Sequence, residues 1–447
     1  MSHNSEMTFT EAESRVLEAL DESALVADLQ RLIRVPSITG SSAESDLQHR
    51  QAAALTELGL DTDVWSIDVE SVRAHPDFPG DETDRAEAFG VVAVMPAASP
   101  DSRQPALVLQ GHVDVVPVGD PLKWPDDPFG GHISGDILYG RGACDMKAGL
   151  AVNMAVARAL RTSGVQLERA FGVHTVVSEE DGGLGAFATL LRGHRADAAV
   201  ITEPTSGAIV TATAGALTFE LRVPGRAAHG SARLEGVSAF EAFLPIHLAI
   251  RELETQRNAG GDQRFVESSL PYPISVGRLR AGDWASSVPD LLVAEGRLGV
   301  RLGEPVEAAR LEFEAAVASA CVTDPWLRDN PAVVTWPGGQ FASGSIDEDH
   351  AFISEVSDSV TAVQGPTPHR RAAPYGSDLR LYSGIGGIPT LHIGPGDVRF
   401  AHAPREQVGL SETFAIARAL ALLAVRRCGA FVARKESART PAEDHMQ

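Results

Sequence analysis

Histidine and carboxylate residues follow directly on several apolar runs in this chain. Pro105-Ala106-Leu107-Val108-Leu109 is apolar enough to form a buried strand, and it leads into Gln110-Gly111-His112-Val113-Asp114. On an extended backbone, positions i and i+2 face the same way, so the His112 imidazole and the Asp114 carboxylate sit together. Such a pair is either a metal ligand oriented by its carboxylate or a buried hydrogen-bonded pair with no chemistry. Two further runs end alike: 170–177 passes into Ser178-Glu179-Glu180-Asp181, and 198–202 passes into Glu203. Three consecutive acids repel one another, and they either face water or are compensated by a cation. In open α/β sheets, ligands bind beyond the carboxyl ends of the strands. His112, Glu180 and Glu203 at three such ends therefore favour a metal site. Asp145 closes Gly140-Arg141-Gly142-Ala143-Cys144-Asp145, just before a helix predicted over 148–162. Taken alone it reads as an N-cap, where the helix dipole favours a carboxylate.

The totals limit what such a site can serve. A chain of 447 residues exceeds one simple core, so two domains are expected. A net charge of −22 argues against nucleic acid or an anionic membrane as partner, although a bound dication would create a locally positive site. Cys144, Cys321 and Cys428 suit reduced thiols in a cytosol better than a disulfide framework. No signal-peptide pattern opens the sequence and no apolar run is long enough to span a bilayer, so a cytoplasmic location is expected.

Apolar spacing predicts one helix over 10–33, ended by Arg34-Val35-Pro36, and another over 45–58. Strands are predicted over 62–65 and 90–95, with Asp81-Glu82-Thr83-Asp84-Arg85 between them as a solvated loop. From about Ala212 the pattern changes. Strand 217–223, helix 236–256, strands 273–280 and 291–300, helix 304–320 and strand 332–336 make a β-α-β-β-α-β unit of the ferredoxin-like type. It is inserted, because sequence of the first kind resumes with helix 347–363, strand 388–393 and helix 412–426. The expected division is a discontinuous metal-binding domain over 8–211 and 338–435, an inserted domain over 212–337, and a disordered polar tail over 436–447.

Five separated motifs, around His112, Asp145, Glu179-Glu180, Glu203 and the late histidines, resemble in their order the M20 family of metallopeptidases and amidohydrolases. That family includes acetylornithine deacetylase, succinyl-diaminopimelate desuccinylase, aminoacylase-1 and glutamate carboxypeptidase. The resemblance implies an α/β fold: a zinc-exopeptidase-like catalytic domain with a central mixed sheet, plus the inserted ferredoxin-like domain as lid and dimerisation surface. It also implies two Zn2+ ions bridged by Asp145, with Co2+ or Mn2+ as substitutes. His112 and Glu203 would hold one ion, and Glu180 and a late histidine the other. Of His369, His392 and His402, the last lies in Phe400-Ala401-His402-Ala403-Pro404-Arg405-Glu406, which resembles the family's closing motif, whereas His392 lies inside an apolar strand. Asp114 would orient His112, and Glu179 would be the general base.

His229, in Gly225-Arg226-Ala227-Ala228-His229-Gly230, resembles the histidine that steadies the tetrahedral oxyanion, in dimeric members from the neighbouring subunit; without that resemblance it is a loop histidine. Ser287 stands where many relatives carry an asparagine. Arg297, with Arg301 close by, falls near the arginine that holds a substrate carboxylate through its bidentate fork. Gly376-Ser377-Asp378-Leu379-Arg380 and Gly394-Pro395-Gly396 resemble loops around the pocket, without individual roles. The function implied is a dinuclear zinc-dependent amidohydrolase, acetylornithine deacetylase-like, removing an N-acyl group from an amino acid or related small amine. The same motifs fit a dipeptidase or carboxypeptidase of the family, and a non-catalytic binder of amino-acid derivatives is the remaining alternative. The partners implied are a small N-acyl amino acid, amide or dipeptide and a second copy of the chain, with no nucleic acid and no membrane.

Overall fold

Leu107–His112 is buried from end to end, as befits a strand covered on both faces. It pairs in parallel with Phe171–Val176 on one side and Ala199–Ile201 on the other, and both of those are equally buried. The computed structural model describes residues 9–98 and 104–432, so the expected tail over 436–447 lies outside the described residues.

These three strands sit within a nine-stranded mixed sheet. From one edge it runs Asp61–Ser66, Phe89–Met95, Phe171–Val176, Leu107–His112, Ala199–Ile201, Thr390–His392, Ile209–Thr213 and Gly344–Ser345, with Arg370–Ala373 paired in parallel to Ile209–Thr213. Parallel neighbours carry their carboxyl ends to one side, so the residues after the three central strands meet there. Helix Ala148–Thr162 packs beneath them, nearly all of it buried. A Cβ at Gly149 would lie 2.1 Å from the Thr202 carbonyl oxygen, so only glycine lets this helix approach the strand that leads to Glu203.

A second, five-stranded sheet follows the order Ile274–Ala281, Leu291–Val300, Gly215–Pro224, Val333–Thr335, with Gln340–Phe341 also paired to Gly215–Pro224. All its pairings are antiparallel. Along Gly215–Pro224 buried and partly exposed residues alternate, as the two-residue period of a strand requires. The buried side meets helices Ala239–Asn258 and Val306–Thr323 in a core of its own, which includes Leu217, Phe219, Phe243 and Phe313. The Phe219 and Phe313 rings lie 4.5 Å apart. These elements follow one another in the order β-α-β-β-α-β.

Two expectations are corrected. The single helix over 10–33 is two, Glu11–Glu18 and Glu22–Ile33. Asp21 caps the second by accepting from the Ala24 N–H, and that local bond interrupts an otherwise continuous apolar spacing. The loop 81–85 is not simply solvated. The Arg85 side chain is buried, donating to Glu44 Oε2 at 3.0 Å and to Asp181 Oδ1 at 3.1 Å. In the same loop Glu82 accepts from the Thr218 hydroxyl at 2.6 Å and pairs with Arg297 at 3.1 Å, joining the loop to the second sheet. Arg85→Met strands two buried carboxylates, and loss of one partner from such a buried network costs about 3–5 kcal/mol. Urea unfolding should show a loss of that size; a change within experimental scatter would contradict the pairing.

Candidate metal centre

Each donor is placed by a local backbone feature. His112 is the last residue of its strand. After Phe171–Val176, Ser178 adopts φ +65°, an uncommon conformation for a side-chain-bearing residue, and turns Glu179 and Glu180 across the strand ends. Gly142, at φ +80°, opens the tight turn Ala143–Lys147 that carries Asp145 ahead of the helix. His402 lies at φ +60° in the loop before Gln407–Gly409.

These residues form two groups that share one member. His112, Asp145 and Glu203 offer ligand atoms within 4.8 Å of one another, and so do Asp145, Glu180 and His402. Asp145 Oδ1 is 3.2 Å from His112 Nε2, while its Oδ2 is 3.5 Å from His402 Nε2. His112 Nε2 lies 3.8 Å from Glu203 Oε1, and His402 Nε2 lies 3.0 Å from Glu180 Oε2. Glu179 belongs to neither group but lines the same cavity, of about 240 Å3.

Three carboxylates hold the donor loops. Asp114 lies beside His112, whose Nδ1 is 3.0 Å from the Asp114 carbonyl and 3.5 Å from its carboxylate. That carboxylate also accepts from the Thr39 hydroxyl at 3.0 Å and from the N–H groups of Glu179 and Glu180, each at 3.2 Å. Asp181 accepts from the Ser178 hydroxyl, from Arg85 and from the Thr83 N–H. Glu406 accepts from the Cys144 and Asp145 N–H groups at 3.2 and 3.1 Å and pairs with Arg141 at 2.6 Å. Arg141 in turn donates to the His402 carbonyl at 3.4 Å, tying the Asp145 turn to the His402 loop.

The electrostatics of these groups favour a cation between them. Burial pushes the Glu203 carboxyl well above the ordinary carboxylate range, although His112 partly offsets it. Glu179 is raised by burial and then by the charge of Glu203. Burial works against ionising Asp145 too, yet His112 and His402 hold its carboxyl below its usual value. His402 is raised chiefly by the charge of Glu180, so taken alone the donor set draws protons onto its histidines. Glu180 Oε1 and Glu203 Oε1 are buried without a hydrogen-bond partner, which is costly for an acceptor. Oxygen and imidazole donors of this kind suit divalent ions of the zinc, cobalt and manganese type. The residues fit such ions.

Seven of the expected site residues thus come together: His112, Asp114, Asp145, Glu179, Glu180, Glu203 and His402. Three lie apart from the cavity within one chain. His229 is exposed, its Nδ1 2.7 Å from Ser231 Oγ, and it bridges to Ser287, which is exposed as well. Arg297 is engaged with Glu82, and Arg301 pairs with Glu304 and Glu312. His392 is buried in its strand with Nε2 3.1 Å from Ser377 Oγ, a structural place. Glu406, Arg141 and Tyr375 carry no signal of a role in the sequence. Glu406 was visible only as the end of the His402 motif, and Tyr375 only as the neighbour of a glycine-containing loop.

The sheet and its donor groups define an α/β protein with a candidate divalent-metal centre beyond the ends of its central strands. Residues 108–426 match peptidase family M20/M25/M40, and the chain belongs to that family. It is 25% identical over 417 residues to the N-formyl-4-amino-5-aminomethyl-2-methylpyrimidine deformylase of Halalkalibacterium halodurans, covering 88% of this chain and 91% of that protein. Acetylornithine deacetylase of Proteus mirabilis is 26% identical over 403 residues, covering 86% and 91%. Among solved structures, the di-peptidase Dug1p of Saccharomyces cerevisiae has the same fold, with a TM-score of 0.74 at 14% identity over 94% of this chain and 99% of that one.

His402→Ala should lower the divalent metal bound per chain, as elemental analysis would report. Stripping metal with a chelator should lower the melting temperature, because buried carboxylates then face one another uncompensated. An unchanged melting temperature would argue against ions at this place.

Proposed function

We propose that the protein is a dinuclear zinc-dependent amidohydrolase that removes a small N-acyl group from an amino acid or related small amine. The observation that carries this reading is Asp145, shared by two donor groups, with a further buried carboxylate, Glu179, beside them and in neither. Relatives named as a deformylase and a deacetylase support N-acyl substrates. A cavity of about 240 Å3, below the usual range for drug-sized ligands, favours a small acyl group. The di-peptidase fold neighbour keeps dipeptide hydrolysis as the alternative within the same chemistry.

His112, Asp145, Glu180, Glu203 and His402 would hold the ions, zinc or in substitution cobalt or manganese. Bound there, divalent ions polarise an acyl carbonyl and acidify water. Glu179 takes the proton of the attacking water and passes it to the amine nitrogen as the C–N bond breaks. Its backbone N–H, held by Asp114, fixes where that carboxylate starts. Asp114 also keeps the His112 ring in its tautomer.

The inserted unit, 212–337, serves as lid and dimer surface in this reading. Phe240, Leu244 and Leu248 fall on one side of helix Ala239–Asn258 and are exposed, a stripe that a second copy would cover. His229 would then reach the partner's site and steady the oxyanion, with Ser287 beside it. Arg297 would have to leave Glu82 to meet a substrate carboxylate.

A screen of formyl, acetyl, succinyl and aminoacyl amides with added zinc, cobalt or manganese tests the activity; no turnover of any of them would sink the proposal. Glu179→Ala should lower turnover by at least about 10²–10⁴-fold with metal content unchanged. Mixing His229→Ala with Glu179→Ala chains should restore part of the activity, since one hybrid site keeps both residues. No recovery would mean that each site is complete in one chain.

A further inference from the structure

Tyr375 follows strand Arg370–Ala373 and lines the cavity that contains Asp145, Glu179, Glu180, Glu203 and His402. Its hydroxyl is closed off from solvent and has no hydrogen-bond partner. Buried polar groups are rarely left so, and an orphan inside a reactive cavity calls for a reason. Two other orphans line the same cavity, Glu180 Oε1 and Glu203 Oε1, and metal ions account for both. Tyr375 is different: it is neutral, and a phenol is no typical ligand beside such donors.

The surroundings decide what the hydroxyl can do. The ordinary pKa of a phenol, about 10, already leaves it protonated at neutral pH. It is therefore neither base nor acid here but a fixed hydrogen-bond donor. The nearby carboxylates could accept that proton's bond, yet none is within reach of it. A substrate can supply the complementary acceptor. An amide offers an N–H, which is a donor, and an acyl oxygen, which is an acceptor. Negative charge grows on that oxygen as water adds.

We propose that the Tyr375 hydroxyl donates a hydrogen bond to the acyl oxygen of the substrate and that this bond strengthens in the tetrahedral oxyanion. The inference rests on the amidohydrolase reading above and adds an oxyanion donor from the same chain as the metal ligands. Tyr375 keeps its proton throughout. The proton released by water travels through Glu179 to the leaving nitrogen, the carbon–oxygen bond forms, and the C–N bond breaks.

The test uses the zinc-loaded full chain and whichever amide in the screen it cleaves best. Tyr375→Phe removes one oxygen and leaves the ring. Turnover should fall by about 10²–10³-fold, the usual effect of losing one oxyanion donor, with KM changed by no more than about twofold. Affinity for the phosphonamidate analogue of that amide, which carries a tetrahedral oxyanion, should weaken by the same factor as kcat/KM. Metal content should be unchanged, and the melting temperature unchanged or higher, because the orphaned hydroxyl is gone. Unchanged turnover and analogue affinity would overturn the inference while leaving the amidohydrolase reading intact. So would a fall in metal content or melting temperature that accounts for the lost activity. If the unaltered chain cleaves no amide, the functional reading falls, and this inference with it.

Discussion

Six acids, Asp114, Asp145, Glu179, Glu180, Glu203 and Asp378, share one water-poor volume at the end of the central sheet. Charges of one sign repel strongly where water cannot screen them. Burial alone would drive these groups to hold their protons, and for Glu179 and Glu203 it does so strongly. The surrounding structure is arranged to make that crowding tolerable. Cationic side chains answer the acids at the margins, and at the centre the donor groups fit divalent ions.

The marginal pairs also do positioning. Asp114, Asp181 and Glu406 each accept main-chain N–H groups from a different stretch of the chain. Two of them are held in place by a buried arginine, Arg85 or Arg141. Donor side chains thus stand on loops whose backbones are already fixed before any substrate arrives. Pre-arranged dipoles and ligands of this sort need no reorganisation during reaction, which is where much of an enzyme's advantage comes from. The left-handed conformations of Ser178 and His402 are tolerated for the same reason: the surrounding bonds over-determine them.

What could be read from the sequence divides along one physical line. Strands that end in ligand-type residues were legible because burial on both faces writes a continuous apolar run, and parallel pairing then brings the ends together. Strand Leu291–Val300 and helix Ala148–Thr162 fall where their spacing puts them. Arg85 was not legible, because its partners Glu44 and Asp181 are remote in sequence and its neighbours are charged. The break at Asp21 was hidden by apolar spacing that continues across it. Tyr375 carries no pattern, since an unpaired hydroxyl is a property of the folded cavity. The roles of Glu179, His402 and His229 came from family resemblance, and for His229 a single chain supplies no contact with the cavity.

One arrangement along the chain has an evolutionary consequence. Four of the five candidate metal donors fall between positions 112 and 203, ahead of the antiparallel second sheet. Much of the remaining cavity wall, Tyr375, Gly376, Ser377, Val398 and Ala401, comes from behind it. Most of these donors and most of the pocket wall are therefore encoded in separate stretches of gene, divided by more than a hundred codons. His402 and Tyr375 tie the later stretch to the proposed chemistry. Drift among its other wall residues can reshape the pocket while the donors are kept.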